Sequence, residues 1–315
     1  ITISGGSGGA ADRNNYAEIY QGGLAGTSQS VTVAGGGSIH LQGGSSAGIN
    51  VGANNGSTSY ISAYGDTQLI EFTGPGSAIS IVGGTVGSNN NAGIYADNGT
   101  QTIRGSSLAN APSITVTGGA SGGVAGEGNF AGFSAATGAQ NITAKATTLL
   151  GGGGGLSNSA FFLAETQTLQ FSGDLNLVGS SNGDSSNNPR IGGRGGSGNE
   201  SNTNLTLGVT GNLTLSGGTS SGVVIGSAAA GVGLTNNIVI TTTGDVVMAP
   251  SATQGMRIGS PAADLQTGSI AITAGGDIAL NSGGGIGSVA IRTLGNVTLN
   301  AANPGKVITQ AANGV

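Results

Sequence analysis

The chain has 315 residues, of which 66 are Gly, about one in five where ordinary proteins carry roughly 7%. Charged residues make up 7% and aromatics 3%, with no Cys, no Trp and one His. Eight Lys and Arg against thirteen Asp and Glu, a net charge of −5, exclude a basic nucleic-acid surface; the missing Cys excludes disulfides and Cys-ligated zinc or iron–sulfur sites. No apolar run approaches the roughly 20 residues of a membrane-spanning helix, so no membrane insertion is expected. Gly clusters as GG and GGG rather than at every third position, which excludes collagen. Hydrophobic content of 36% with little charge argues for a folded chain over a disordered one.

In chain order the strand signals repeat. The chain opens on ITI at Ile1–Ile3. Val31 leads eight residues on to Ile39 in GSIHL (Gly37–Leu41), and a third apolar segment, AGINV (Ala47–Val51), follows a GG corner. SAISI (Ser77–Ile81) precedes AGIYA (Ala92–Ala96); SITV (Ser113–Val116) precedes AGFSA (Ala131–Ala135), and AFFLA (Ala160–Ala164) comes next. The unit then sharpens to Gly, Asp or Asn, an aliphatic, any residue, and Leu or Met. It reads GDLNL at Gly173–Leu177, GNLTL at Gly211–Leu215, GDVVM at Gly244–Met248, GDIAL at Gly276–Leu280 and GNVTL at Gly295–Leu299. SGVVI (Ser221–Ile225) lies among them. The eight-residue spacing recurs from Leu205 to Leu213, Ile238 to Val246, Ile270 to Ile278 and Val289 to Val297. Several first strands begin on Gln or Asn: Gln29, Gln68, Gln101, Gln140, Gln167, Asn204 and Asn237.

Each copy therefore predicts a strand, a tight turn, a strand, a Gly-rich corner, a third strand and a variable loop. An alternating strand buries one face only, so a single copy cannot make a core, whereas stacked copies close a continuous aliphatic interior. The expected fold is all-β, a right-handed parallel β-helix of about ten coils with three short strands per coil. At roughly 4.8 Å between strands the rod is about 45–50 Å long. Residues 1–315 form a single β-helix segment, with longer, aromatic-containing coils over 1–172 and shorter, more regular ones over 173–315. The last two second strands, at Ile278 and Val297, are expected only 19 residues apart. Both ends fall inside the repeat, so the chain is expected to be part of a longer array.

SIAITAGGDIALNSGGG and SVAIRTLGNVTLNAANPG resemble the repeat region of filamentous-haemagglutinin-type exoproteins, most closely over 167–309. The resemblance implies a large bacterial protein released by two-partner secretion through an outer-membrane transporter, with a right-handed β-helix shaft acting as a surface adhesin or fibre.

Candidate sites are few. Asp174, Asn212, Asp245, Asp277 and Asn296 are expected to stack as a structural turn column, because Asp and Asn satisfy backbone N–H groups in tight turns. The alternative makes Asp245 and Asp277, in adjacent coils, a cation or acid–base pair. His40 is expected to face outward between Ile39 and Leu41, with no nucleophilic triad around it. The aromatics Tyr16, Tyr20, Tyr60, Tyr64, Tyr95, Phe130, Phe133, Phe161 and Phe162 gather at third-strand segments, and Phe72 and Phe171 in first strands. The Phe read as stacked columns inside the helix. The competing reading is an outward stripe meeting sugar rings, with Tyr60 and Tyr64, in an insertion, its best members. The excursion Gly179–Asn204 carries Asp184, Arg190, Arg194 and Glu200 and reads as a flexible loop; Arg190 and Arg194 are its candidates for contact with an anionic glycan or a neighbouring protein. Asn-x-Ser/Thr sequons occur at Asn55, Asn98, Asn141, Asn199, Asn204, Asn212 and Asn296.

The functional expectation is a non-enzymatic shaft, secreted or on the bacterial cell surface, with no cofactor. Its expected partners are a host or neighbouring-cell glycan or protein, or other copies of itself. A self-assembling extracellular filament and a polysaccharide-active β-helix enzyme are the alternatives. Three or more carboxylates clustered on one face would mark the enzyme.

Overall fold

The computed structural model describes residues 1–7, 15–23, 25–45, 56–123, 127–195, 200–227, 233–251, 253–262, 264–281 and 287–311. Short runs of Ile, Val, Leu and Thr alternating with polar residues form parallel strands, and among the described residues these fall into three sheets. The first sheet has ten strands, from Thr2–Ser4 and Ser38–Gln42 to Ile278–Leu280 and Ile308–Gln310. The second has nine, from Ala17–Gln21 and Ser59–Ala63 to Val289–Arg292. The third also has nine, from Ser28–Val33 and Thr67–Phe72 to Val297–Ala301. The chain visits the three in turn and climbs one step at each circuit, a right-handed parallel β-helix with three strands per coil. The only described helical turn, Leu108–Asn110, sits between the third- and first-sheet strands of one coil.

Register stacks like on like. In the first sheet Ile39 pairs Ile79 and Ile79 pairs Ile114, while Leu41, Ile81 and Val116 form the adjacent inward column. These side chains are fully buried, and the same column continues through Leu149, Leu177, Leu215 and Met248. Inside the helix Phe133 packs edge-on to Phe162 with centroids 5.0 Å apart, and Phe162 lies 6.4 Å from Phe171. Phe72, Phe133, Phe162 and Phe171 are thus interior, as the column reading expects.

Each corner carries its own polar ladder. Between the second and third sheets, buried Gln29, Gln68, Gln101, Gln140 and Gln167 chain through their amides, each Nε2 donating to the preceding Oε1 at 2.8 Å. Between the first and second sheets, Asn90, Asn129, Asn158 and Asn187 accept through Oδ1 the backbone N–H of Ser57, Asn90, Asn129 and Asn158 at 2.8–2.9 Å. Their Nδ2 groups hold the adjoining Gly-rich loops, as Asn158 does at the carbonyls of Gly122 and Gly154. The GG pairs belong to this corner. A Cβ on Gly84, Gly119 or Gly152 would lie 2.2–2.5 Å from the Cβ of Asn90, Asn129 or Asn158, so close approach, not backbone freedom, fixes glycine there. Between the third and first sheets, Oδ1 of Asp174, Asn212, Asp245 and Asp277 accepts the N–H of Asn212, Asp245, Asp277 and Val307.

The structure corrects several expectations. Asn296 does not join the turn column. Val297 pairs Ile270, so GNVTL lies in the third sheet and Asn296 falls above Ser269; position 307 takes the next place in the column. The strand above Ile278 is Ile308–Gln310, and the 19-residue coil disappears. Val289–Arg292 is correspondingly a second-sheet strand. Near-identity of motif misled here because GNVTL fits either sheet. Asn204 and Asn237 do not extend the Gln ladder either: Gln167 pairs Leu205, one residue on. In the earlier coils the long excursion precedes the second-sheet strand, as between Gln42 and Ser59. It follows that strand only later, as between Ile225 and Asn236. AGINV lies outside the described residues; the second-sheet strand of its coil is Ser59–Ala63, so Tyr60 is in a strand and not an insertion. The Gly179–Asn204 excursion likewise contains the second-sheet strand Arg190–Gly192.

Candidate functional site

The outer face of the second sheet gathers the chemistry this chain has. Glu18, Tyr60, Gly93, Gly132, Phe161 and Arg190 form one outward column by register. Tyr20, Ser62, Tyr95, Ser134 and Leu163 form the next. The two glycines decide how the rings lie. A Cβ on Gly93 would meet the Tyr95 ring at 2.3 Å, and one on Gly132 the Phe161 ring at 2.5 Å, so both rings lie down over bare backbone.

The result is an open cavity of about 430 Å³ lined by Tyr16, Glu18, Tyr20, Tyr60, Tyr64, Tyr95 and Asp97, among others. The chain has five Tyr, and all of them line it. Tyr60 and Tyr95 are the more buried pair, with ring centroids 5.0 Å apart and planes at 58°. Tyr20 and Tyr64, exposed by 57% and 43%, meet at 5.6 Å and 66°. Asn89, at φ 59°, also lines it, and a Cβ on Gly56 would lie 1.6 Å from the Asn89 carbonyl oxygen, so that backbone is tightly held. Tyr95 and Asp97 are shared with a second cavity of about 290 Å³, lined also by Phe130, Phe161, Arg190 and Arg194.

Electrostatics divide the face. Burial pushes the Tyr60 phenol up to about 12 and raises Tyr95 well above the usual range; the Asp97 carboxylate raises Tyr64, whose hydroxyl donates to it. Burial also raises Asp97, against the pull of Tyr64 and Arg194. The Ser62 hydroxyl donates to Glu18. Towards the C-terminal end the face turns basic. Burial lowers Arg190 to about 9 and Arg257 to about 10, with Arg257 and Arg292 respectively adding repulsion. Nε of Arg190 is buried without a hydrogen-bond partner, while its Nη2 donates to the Gly193 carbonyl. Arg194 donates to the Ala136 carbonyl.

Of the sequence candidates, Tyr60 and Tyr64 come together in one cavity, and Arg190 and Arg194 in its neighbour. The Tyr are thus outward, and so, against the interior-column reading, are Phe130 and Phe161; period-2 alternation from Ile61 and Ile94 carries the signal for Tyr60 and Tyr95. Asp245 and Asp277 each commit Oδ1 to a backbone N–H, and Asp277 also lies 3.7 Å from the Lys306 ammonium. Among the described residues no group of three or more His, Cys, Asp or Glu is arranged to hold a metal. His40 is partly buried on the outer side of the first sheet, between Thr2 and Ser80. Sequence reasoning missed Glu18 and Asp97, which sit beside Tyr in AEIYQ and IYAD, and the Asn ladder, whose members stand two residues before each second-sheet strand of their coils or three before it at Asn187.

In comparisons with protein families, curated proteins and solved structures, nothing matched the chain.

Because Asp97 titrates above its unfolded value, its contribution favours the fold below the usual carboxylate range and is lost as pH rises through its folded pKa. Asp97→Asn is therefore expected to change stability little near pH 3 and to stabilise relative to the parent as pH rises towards 7, because burial is the dominant influence on Asp97. Thermal midpoints of both proteins across pH 3–7 check this. A variant that loses stability as pH rises relative to the parent contradicts it.

Proposed function

We propose that this chain is a non-catalytic shaft of a secreted bacterial surface adhesin or fibre. The observation that carries the reading is mechanical. Three parallel sheets run the length of the described chain, and each corner is braced by side chains that bond one coil to the next. Parting two coils breaks strand pairing on three sides and, where the Gln or Asn row crosses, a buried side-chain bond, at about 1–3 kcal/mol for each buried group left unpaired. Nearest-neighbour coupling of this kind makes a rod whose total stability grows with coil number. Outward Thr, Ser and Asn rows keep it soluble with little charge, and the resemblance of the 167–309 repeats to two-partner exoproteins fits export through an outer-membrane transporter.

Electron micrographs of the native full-length protein test the reading. The expected image is a thin unbranched rod that resists proteases along its shaft. Release of new reducing ends from a panel of polysaccharides by the purified chain would overturn it in favour of an enzyme. End-to-end growth of the purified chain into long filaments would overturn it in favour of a self-assembling matrix.

A further inference from the structure

We propose that the tyrosine cavity on the second sheet binds an organic cation, with a quaternary ammonium head seated between the Tyr60–Tyr95 floor and the Tyr20–Tyr64 wall. The proposal is independent of the shaft reading. Aromatic faces attract cations through their ring quadrupole, most strongly where water is excluded. Here every tyrosine of a chain with only 3% aromatics converges on one hollow.

Three observations select a cation over a sugar or an anion. The rings stand at 58° and 66° to one another, so they form the walls of a box and not the level shelf on which a sugar ring lies. The charged side chains lining the hollow are Glu18 and Asp97, and its described lining contains no Lys or Arg. The volume, about 430 Å³, falls within the range of small-molecule sites and accommodates a trimethylammonium head with the chain that carries it. The hollow is also built in advance. Gly93 lets Tyr95 lie flat, the Ser62 hydroxyl fixes Glu18, and the Tyr64 hydroxyl is tied to Asp97. Little ordering remains to oppose binding.

The test titrates the 315-residue chain with choline chloride and, separately, with 3,3-dimethylbutan-1-ol, the neutral alcohol of the same shape, following tyrosine ring resonances by NMR. Choline is expected to bind at least about tenfold more tightly than the alcohol, a difference of about 1.4 kcal/mol. Glu18→Gln keeps shape and removes charge, and is expected to weaken choline about fivefold with no effect on the alcohol. Tyr64→Ala is expected to weaken choline by a similar factor, and Tyr64→Trp to restore it. Far-UV circular dichroism verifies the fold of each variant; if Tyr64→Ala does not fold, Glu18→Gln decides. Equal affinity for choline and the alcohol would overturn the proposal, leaving a merely apolar cleft. So would an unchanged preference in Glu18→Gln, or a neutral gluco-oligosaccharide shifting the tyrosine resonances where choline does not.

Discussion

Asn129→Ala is expected to destabilise the rod by about 3–5 kcal/mol, more than a typical surface or loop substitution by a wide margin. Asn129 is completely buried at the corner between the first and second sheets. Its Oδ1 accepts the Asn90 backbone N–H at 2.9 Å, and its Nδ2 donates to the carbonyls of Gly87 at 3.0 Å and Ser121 at 2.7 Å. Alanine keeps the Cβ and deletes all three bonds. The Asn90 N–H then loses the Oδ1 that accepts it in a buried corner, and two Gly-rich loops lose the anchor that offsets the entropy of holding them. The effect is best read locally, because a coil array need not unfold as one unit. Amide exchange at Asn90 is expected to accelerate by at least about a hundredfold in the variant. Unchanged protection there would show that the ladder is incidental to the corner.

Gln101→Leu and Gln167→Leu form a matched pair with unequal expected costs. Gln101 is bonded on both sides: its Nε2 donates to Gln68 Oε1 and its Oε1 accepts from Gln140 Nε2, both at 2.8 Å. Leucine there orphans a donor and an acceptor in neighbouring coils and frees the Ile94 carbonyl. Gln167 stands at the end of the row, and its Oε1 already lacks a partner because Leu205 occupies the next coil. Leucine at 167 removes that orphan while creating one at Gln140 Oε1 and another at the Phe162 carbonyl. The expected losses are about 3 kcal/mol at 101 and about 1 kcal/mol at 167. Thermal midpoints rank the two variants. Equal midpoints would mean that the amides contribute to the core as volume alone.

Much of this architecture was written in the chain. GDLNL, GNLTL, GDVVM and GDIAL are strands of one sheet, the eight-residue step from Ile238 to Val246 is one corner, and AGIYA and AGFSA are strands as they stand. What misled was local likeness without register. GNVTL has the composition of a first-sheet strand, yet the chain reaches it too soon after Val289–Arg292, and pairing with Ile270 claims it for the third. Asn204 looks like another member of the Gln row, but a shift of one residue turns it outward and sets Leu205 in its place. The cavity was half legible. Alternation around Ile61 and Ile94 sends Tyr60 and Tyr95 out together, whereas the glycines that let the rings lie flat, Gly93 and Gly132, are invisible as signals among 64 others.

The Gln row has an electrical consequence. Its five amides run head to tail in a single sense, every carbonyl towards the C-terminal coils, so their dipoles add as peptide dipoles do along a helix. Bonds in such a chain strengthen one another, and the coils it spans are polarised as one body with its positive pole at Gln29. The negative pole is the unpartnered oxygen of Gln167, whose register partner in the next coil is the apolar Leu205. At the same step the connection between second and third sheets lengthens, from the short turn at Leu163–Thr166 to the span from Gly192 to Thr203. From that coil on, the coils are joined at this corner without the amide row, although the strands there still pair over six residues, Thr166–Phe171 with Asn204–Val209. The rod is therefore electrically uneven along its length, with a directed polar spine in its N-terminal coils that stops at Gln167.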